Sequence, residues 1–189
     1  MARIASLVTT GCWIIFAGFW LISARRAKAI AERQSLPSAL AHRLPVALGW
    51  LLLGFPGWRP PLNRVVIPHT ELALVTGAVI CALGLFATIW ARVILAGNWS
   101  SDVTFKQGHE LIKTGPYRFV RHPIYTGLLV MGLGTAIEIG ALRCWPGLGV
   151  AGIGFWIKLR QEERLLLRHF PDAYPAYQKQ VKALVPFVI

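Results

Sequence analysis

Two stretches of this chain concentrate side chains that can do chemistry. The first is GPYRFVRHPIYTG, Gly115 to Gly127, which sets Arg118, Arg121 and His122 among two prolines and two tyrosines. The second is the adjacent carboxylate pair Glu162 and Glu163. Proline at 123 suits the first turn of a helix, where its missing amide hydrogen costs nothing. It also pushes His122 out of helical geometry. His122 is therefore expected at the cap of a helix, with Arg121 just outside. The amides and dipole of a helix start favour an anion there. Tyr125 and Gly127 follow in the first turn, and Gly127 allows close approach of a ligand or a neighbouring helix. Gly115 and Pro116 make a turn that leads into Tyr117. Arg118 reads as a lipid anchor, whereas Arg121 and His122 together read as a functional pair. Two readings stand for Glu162 and Glu163. They pair with Lys158, Arg160 or Arg164 along a helix, or one of them accepts hydrogen bonds from ligand hydroxyls or faces a cation. A negative pair opposite an Arg/His pair suits a zwitterionic or sulfonium-bearing cofactor. His109, Glu110 and His169 are too scattered to form a metal site, and His42 and His69 read as interfacial.

Long apolar runs must position these groups. A helix needs roughly 20 apolar residues to cross a bilayer, and Ile4–Ala24 and Leu72–Ala91 qualify. Leu44–Trp58 is shorter, and is tilted or extended toward Leu36. Pro123–Leu142 contains Glu138. Cys144–Ile157 is short, with Arg143 and Lys158 able to snorkel from its ends. Five spans are expected, the last two forming a tight hairpin. The N-terminal run follows Arg3 as a secretory signal would, but it continues to Ala24 and stops at Arg25, Arg26 and Lys28, the pattern of an anchor. With the N-terminus outside, segments 25–43, 92–121 and 158–182 carry sixteen of the twenty Lys and Arg. That asymmetry places the polar linker and the tail in the cytoplasm. The tail KLRQEERLLLRHF has helical spacing, broken by Pro171 and Pro175. AYQKQVKAL is expected as a last amphipathic turn or two on the membrane surface.

Composition agrees. The chain has 189 residues, 55% hydrophobic and 15% charged, against about 25% charged in soluble domains. Mean hydropathy is +0.53. A net charge of +12 would suggest nucleic acid on a soluble protein. Here anionic lipid headgroups explain it, and no nucleic-acid partner is expected. Cys12, Cys81 and Cys144 are far apart and read as small buried side chains. GLGVAG, Gly147 to Gly152, fits a dinucleotide fingerprint but lies inside an apolar run with no preceding strand. Close helix packing is the better reading.

ELIKTGPYRFVRHPIYTG, then a helical hairpin, then EERLLLRHFPDAYPAYQKQVKALVPFV resembles the isoprenylcysteine carboxyl methyltransferase family, within a wider superfamily of membrane methyltransferases. The resemblance covers about Leu95 to the C-terminus. It implies an all-α, polytopic membrane protein that uses S-adenosyl-L-methionine in a cytoplasmic pocket closed by the linker and tail helices. Residues 1–96 would be three spans and 97–189 the cofactor-binding core. His122, Pro123, Tyr125 and Gly127 match the family's cofactor segment, and Glu162 and Glu163 its acidic pair. Leu111, Ile112, Thr114, Gly115 and Tyr117 match the approach to it. Arg121 and Arg160 match positions suited to a substrate carboxylate.

The implied reaction is methyl transfer to the carboxylate of a prenylcysteine-like or other lipophilic acceptor. A carboxylate is ionised at pH 7 and needs no base. Phospholipid amine or thiol methylation is the alternative, with Glu163 or Tyr125 then the candidate bases. Membrane sterol reductases, which use NADPH, are similar over the same region but favour an acid where Leu128 stands. A lipid-binding membrane protein without activity is the third reading.

Overall fold

A computed structural model describes residues 2–25, 30–99, 103–106 and 110–188. Arg26, Lys28 and His109, named above, lie outside the described residues. In chain order the elements are α1 (Ala2–Ala24), β1 (Ile30–Arg33), α2 (Leu36–Gly54), α3 (Glu71–Leu95), β2 (Thr104–Lys106), α4 (Pro123–Ile139), α5 (Cys144–His169) and α6 (Ala173–Gln180). Apolar chain in lipid must satisfy its backbone internally, which makes these runs helices. Three helical stretches, Arg3–Ala24, Leu36–Gly54 and Glu71–Asn98, are long and apolar enough to cross a membrane. The other two long helices depart from that pattern. α4 is apolar but has 17 residues, and α5 has 26, its apolar half running into charge.

Several boundaries differ from expectation. α2 begins at Leu36, the extended alternative, and carries Pro45 inside it. α5 continues without a break through Glu162 and Glu163, because nothing before Pro171 interrupts it. Pro175 does not break the tail. It sits in the first turn of α6, where no amide is needed. α6 is amphipathic: Tyr174 and Tyr177 are buried on one face, and Ala176, Lys179 and Gln180 are exposed on the other. The short antiparallel ribbon of β1 with β2 was not expected. It joins the segment after α1 to the segment after α3, so both linkers gather at one end.

Helix packing relies on small residues, as it does where lipid removes the hydrophobic drive between helices. α4 lies along α3 and α5 along α2, while α1 packs on α3. A Cβ on Gly77 would stand 2.7 Å from the Gly134 carbonyl, and one on Gly84 2.5 Å from the Met131 amide. Across α2 and α5, a Cβ on Gly49 would meet the Ala151 amide at 2.5 Å. The GLGVAG segment thus packs helices through Gly147 and Ala151, whereas Gly149 has no neighbour within 4 Å. All three cysteines are buried and unpaired.

Two basic residues expected at interfaces turn inward. Arg143 does not snorkel. It is 5% exposed and donates to the carbonyls of Leu52 (2.9 Å) and Leu53 (2.5 Å) and to Asn63 Oδ1 (3.1 Å). The last carbonyls of α2 have no helical partners and draw it in. His42 is not interfacial either. It is 2% exposed, with Nδ1 2.9 Å from Gln161 Oε1. His69 remains at the surface against the Ile139 carbonyl. Arg92 is buried too, donating to the carbonyls of Ala96 and Ser23, which ties the end of α3 to the end of α1.

Candidate functional site

Pro123 opens α4 and leaves His122 at its cap, with φ −124° and ψ 59°. The segment before it is stitched to the tail. Arg121 donates its backbone amide to the Lys182 carbonyl at 2.8 Å, and His122 to that of Ala183 at 3.0 Å. Thr126 Oγ1 donates to the Leu184 carbonyl at 2.7 Å, and the Tyr177 hydroxyl to that of Tyr117 at 2.5 Å. The Arg121 guanidinium completes the seam. It donates to Glu163 Oε1 from Nε (2.9 Å) and Nη2 (2.7 Å), and from Nη1 to the Val181 carbonyl.

The acidic pair therefore finds its main partners across the fold. Arg160 reaches Glu163 only at 3.9 Å from a largely exposed side chain, a contact of little energetic consequence. His122 bridges the two carboxylates, with Nε2 3.3 Å from Glu163 Oε1 and Nδ1 3.5 Å from Glu162 Oε2. The Tyr125 hydroxyl donates to Glu162 Oε1 at 2.5 Å. The Glu163 side chain is 3% exposed and that of Glu162 24%, so Glu162 is the carboxylate left facing open space.

Burial opposes charge on all three groups, and the mutual contacts win. Burial would lower His122, but hydrogen bonds to Glu162 and Glu163 hold its pKa above the ordinary 6.5. Burial would raise Glu163, but His122 and Arg121 bring it down to about 2. Glu162 is likewise lowered, by His122 and Lys158 against its burial. Arg121 and protonated His122 together balance Glu162 and Glu163 charge for charge. Burial pushes the phenols of Tyr117, Tyr174 and Tyr177 up, the last to about 12, so they stay protonated donors at pH 7.

A cavity of about 330 Å³ lies against this network, within the roughly 300–1,000 Å³ of small-molecule sites. Trp20, Trp99, Phe155 and four tyrosines are among its walls. Tyr125 stacks between His122 (5.6 Å between centroids) and Phe155 (5.1 Å). Lys158 Nζ stands 5.4 Å from the Tyr125 ring centroid, and Trp20 of α1 meets Trp99 edge-on. Tyr174 lines the cavity, and its buried hydroxyl reaches no partner at hydrogen-bond distance, although the Arg121 guanidinium is near.

Residues 73–168, from α3 through nearly all of α5, match the isoprenylcysteine carboxyl methyltransferase (ICMT) family. The chain belongs to that family. Similar curated proteins include the protein-S-isoprenylcysteine O-methyltransferase of Saccharomyces cerevisiae, 30% identical over 122 residues, 63% of this chain and 51% of that protein. Protein-S-isoprenylcysteine O-methyltransferase A of Arabidopsis thaliana is 33% identical over 106 residues, 52% of each chain. The nickel-cobalt-cadmium resistance protein NccN of Alcaligenes xylosoxydans xylosoxydans is 28% identical over 142 residues, 65% of this chain and 62% of that protein. The chain spans about half the length of the curated isoprenylcysteine methyltransferases it matches.

The family match begins further upstream than the Leu95 at which the resemblance starts, and it ends within the tail, at Arg168. Of the residues singled out by the family motifs, Leu111, Ile112, Tyr117 and Arg121 line the cavity, as do His122, Pro123, Tyr125 and Glu162. The rest stand off the wall. Thr114 is exposed. Gly115 has φ +60°, which makes the turn before Tyr117. Gly127 packs against Gly84 and Thr88 of α3. Glu163 holds the network from behind, and Arg160 lies outside over Trp156. Sequence reasoning missed Trp20, Trp99, Phe155, Lys158, Tyr174 and Tyr177, all of which line the cavity. Tyr174 and Tyr177 share one helix face at i, i+3, a signal that could have found them. Trp20 left none, because its approach from α1 is a tertiary fact.

Proposed function

We propose that this chain is an S-adenosyl-L-methionine-dependent methyltransferase that esterifies the carboxylate of a prenylcysteine-like, lipophilic acceptor, working at the cytoplasmic face of a membrane. The observation that carries the proposal is the Arg121–Glu163–His122–Glu162 network, which fixes α4, α5 and the tail around one aromatic cavity. The donor set fits the cofactor. A partly open carboxylate, Glu162, and the faces of Tyr125 and Phe155 suit a sulfonium and an ammonium. The Tyr174 hydroxyl and Lys158 suit its polar and anionic groups. When bound, the cofactor supplies an electrophilic methyl group on sulfur.

The chain's own residues then orient and shield. Glu162, held by Tyr125 and His122, binds the cationic side. Arg121 and Glu163 fix the tail and position His122 and Glu162. Arg160, at the outside of the site, is the cation left for the acceptor carboxylate. No proton need move for a carboxylate acceptor, so rate comes from alignment and from exclusion of water. The charge pattern favours a cytoplasmic side for segments 25–43, 92–121 and 158–182, and the ribbon of β1 with β2 supports grouping the first two at one end. The acceptor would enter from lipid between helices.

The test supplies methyl-tritiated cofactor to the full chain in phosphatidylcholine vesicles, with N-acetyl-S-farnesylcysteine, a phospholipid amine or a lipophilic thiol as acceptor. Alkali-labile, volatile label from the farnesylcysteine is expected, the mark of a methyl ester. Alkali-stable label from the amine or thiol would replace the acceptor class. No transfer to any acceptor would overturn the enzyme reading.

A further inference from the structure

A second cavity, of about 390 Å³, lies at the end of the molecule away from the methyl-transfer site. Its walls are Thr9 and Trp13 of α1, Trp50 and Leu53 of α2, and Thr135 and Glu138 of α4. Ser6 and Thr10, both exposed, stand at its mouth. Glu138 is 9% exposed, and its Oε2 has no hydrogen-bond partner. Thr9 is 6% exposed, and its Oγ1 also has none. Two other polar groups of the wall are engaged. Trp13 Nε1 donates to Thr135 Oγ1 at 3.0 Å, and that hydroxyl donates to the Met131 carbonyl at 2.9 Å. Among the described residues no Lys, Arg or His lines the cavity. The neighbouring His69 turns its Nε2 to the Ile139 carbonyl.

A buried carboxyl oxygen without a partner is costly. Inside a membrane helix such a group marks a binding or transport function. A partner for ionised Glu138 must donate, since a carboxylate only accepts, and the Thr9 hydroxyl can accept from the same donor. Two indoles, 5.2 Å apart at 72°, border the same space, and indole faces attract cations. Leu53 and Ile139 supply apolar wall. We infer that this cavity binds a primary ammonium group carried on an apolar stem, paired with Glu138 and hydrogen-bonded to Thr9. An aminolipid headgroup and a free amphiphilic amine share that chemistry. The inference is independent of the methyl-transfer reading, since no residue is common to the two cavities.

The test uses the full chain labelled with ¹⁵N-tryptophan in phosphatidylcholine nanodiscs, with the Trp13 indole signal assigned by Trp13→Phe. Butylammonium chloride is expected to shift that signal saturably. Butan-1-ol, its neutral counterpart, should bind at least about tenfold more weakly, a difference of about 1.4 kcal/mol. Glu138→Gln should weaken butylammonium by the same factor while the other indole signals stay in place. Thr9→Val should weaken it several-fold, which keeps a second reading should Glu138→Gln lose its dispersed spectrum. Phosphatidylethanolamine reproducing the shift would assign the lipid headgroup; a shift from the free amine alone would assign a soluble amine. No saturable shift, equal binding of butan-1-ol, or unchanged affinity in the variants would overturn the inference.

Discussion

The guanidinium of Arg121 touches Glu163 and the tail carbonyls at once, so its loss acts on structure before it acts on a ligand. Arg121→Ala leaves Glu163 buried with His122 as its remaining close partner. The expected loss is about 3 kcal/mol, the lower end for breaking a buried pair. Thermal unfolding in detergent measures it, and trypsin should then cut faster at the exposed Lys179 and Lys182. Glu162→Gln should behave oppositely, keeping the fold and losing ligand affinity. The same groups set a pH window. His122, raised in the fold, stabilises fully below about its ordinary 6.5, and that contribution fades as pH rises through its elevated value. Glu163, depressed to about 2, stabilises above about its ordinary 4.5 and loses this only as pH falls toward 2. Protection of the tail from protease should therefore be greatest between those limits and weaken on the alkaline side. His122→Gln should flatten the alkaline limb, and an unchanged limb would remove His122 from the seam.

Among the helices, the glycines divide into those that touch a neighbour and those that do not. Gly84→Val would force its side chain onto the backbone of α4 and should destabilise by about 1–3 kcal/mol or more. Gly149→Ala meets nothing within 4 Å and should be neutral or stabilising by up to about 1 kcal/mol. Paired melting curves in one detergent check both. The tail seam is made of separate small bonds. Tyr177→Phe removes the donor to the Tyr117 carbonyl and should cost about 0.5–1.5 kcal/mol, with ligand affinity falling as the cavity loosens.

Across the whole molecule, the sequence disclosed what depends on local chemistry. Pro123 fixed the start of α4, apolar length marked the helices, and the Arg-His-Pro and Glu-Glu motifs located the charged network. What stayed hidden depends on distance in the chain. Nothing local reveals that Trp20 reaches the cavity, or that Arg143 turns inward to the open carbonyls of α2. Nor did alternation announce the ribbon of β1 with β2, whose strands have four and three residues. The division of labour between Glu162 and Glu163 was equally out of reach, since adjacent residues differ only in which side of α5 the fold covers. The proposed orientation rests on the charge pattern. A single cysteine introduced at Lys179 should react with a membrane-impermeant maleimide only after permeabilisation, and one at Arg59 before it. The most direct test of the site is calorimetric titration of the full chain in detergent with S-adenosylhomocysteine, beside Glu162→Gln and beside NADPH. Binding on the order of micromolar, weakened at least about tenfold in the variant, with NADPH silent, is the expected result. No binding of the adduct, or heat from NADPH in its place, would contradict a methyltransferase pocket at this network.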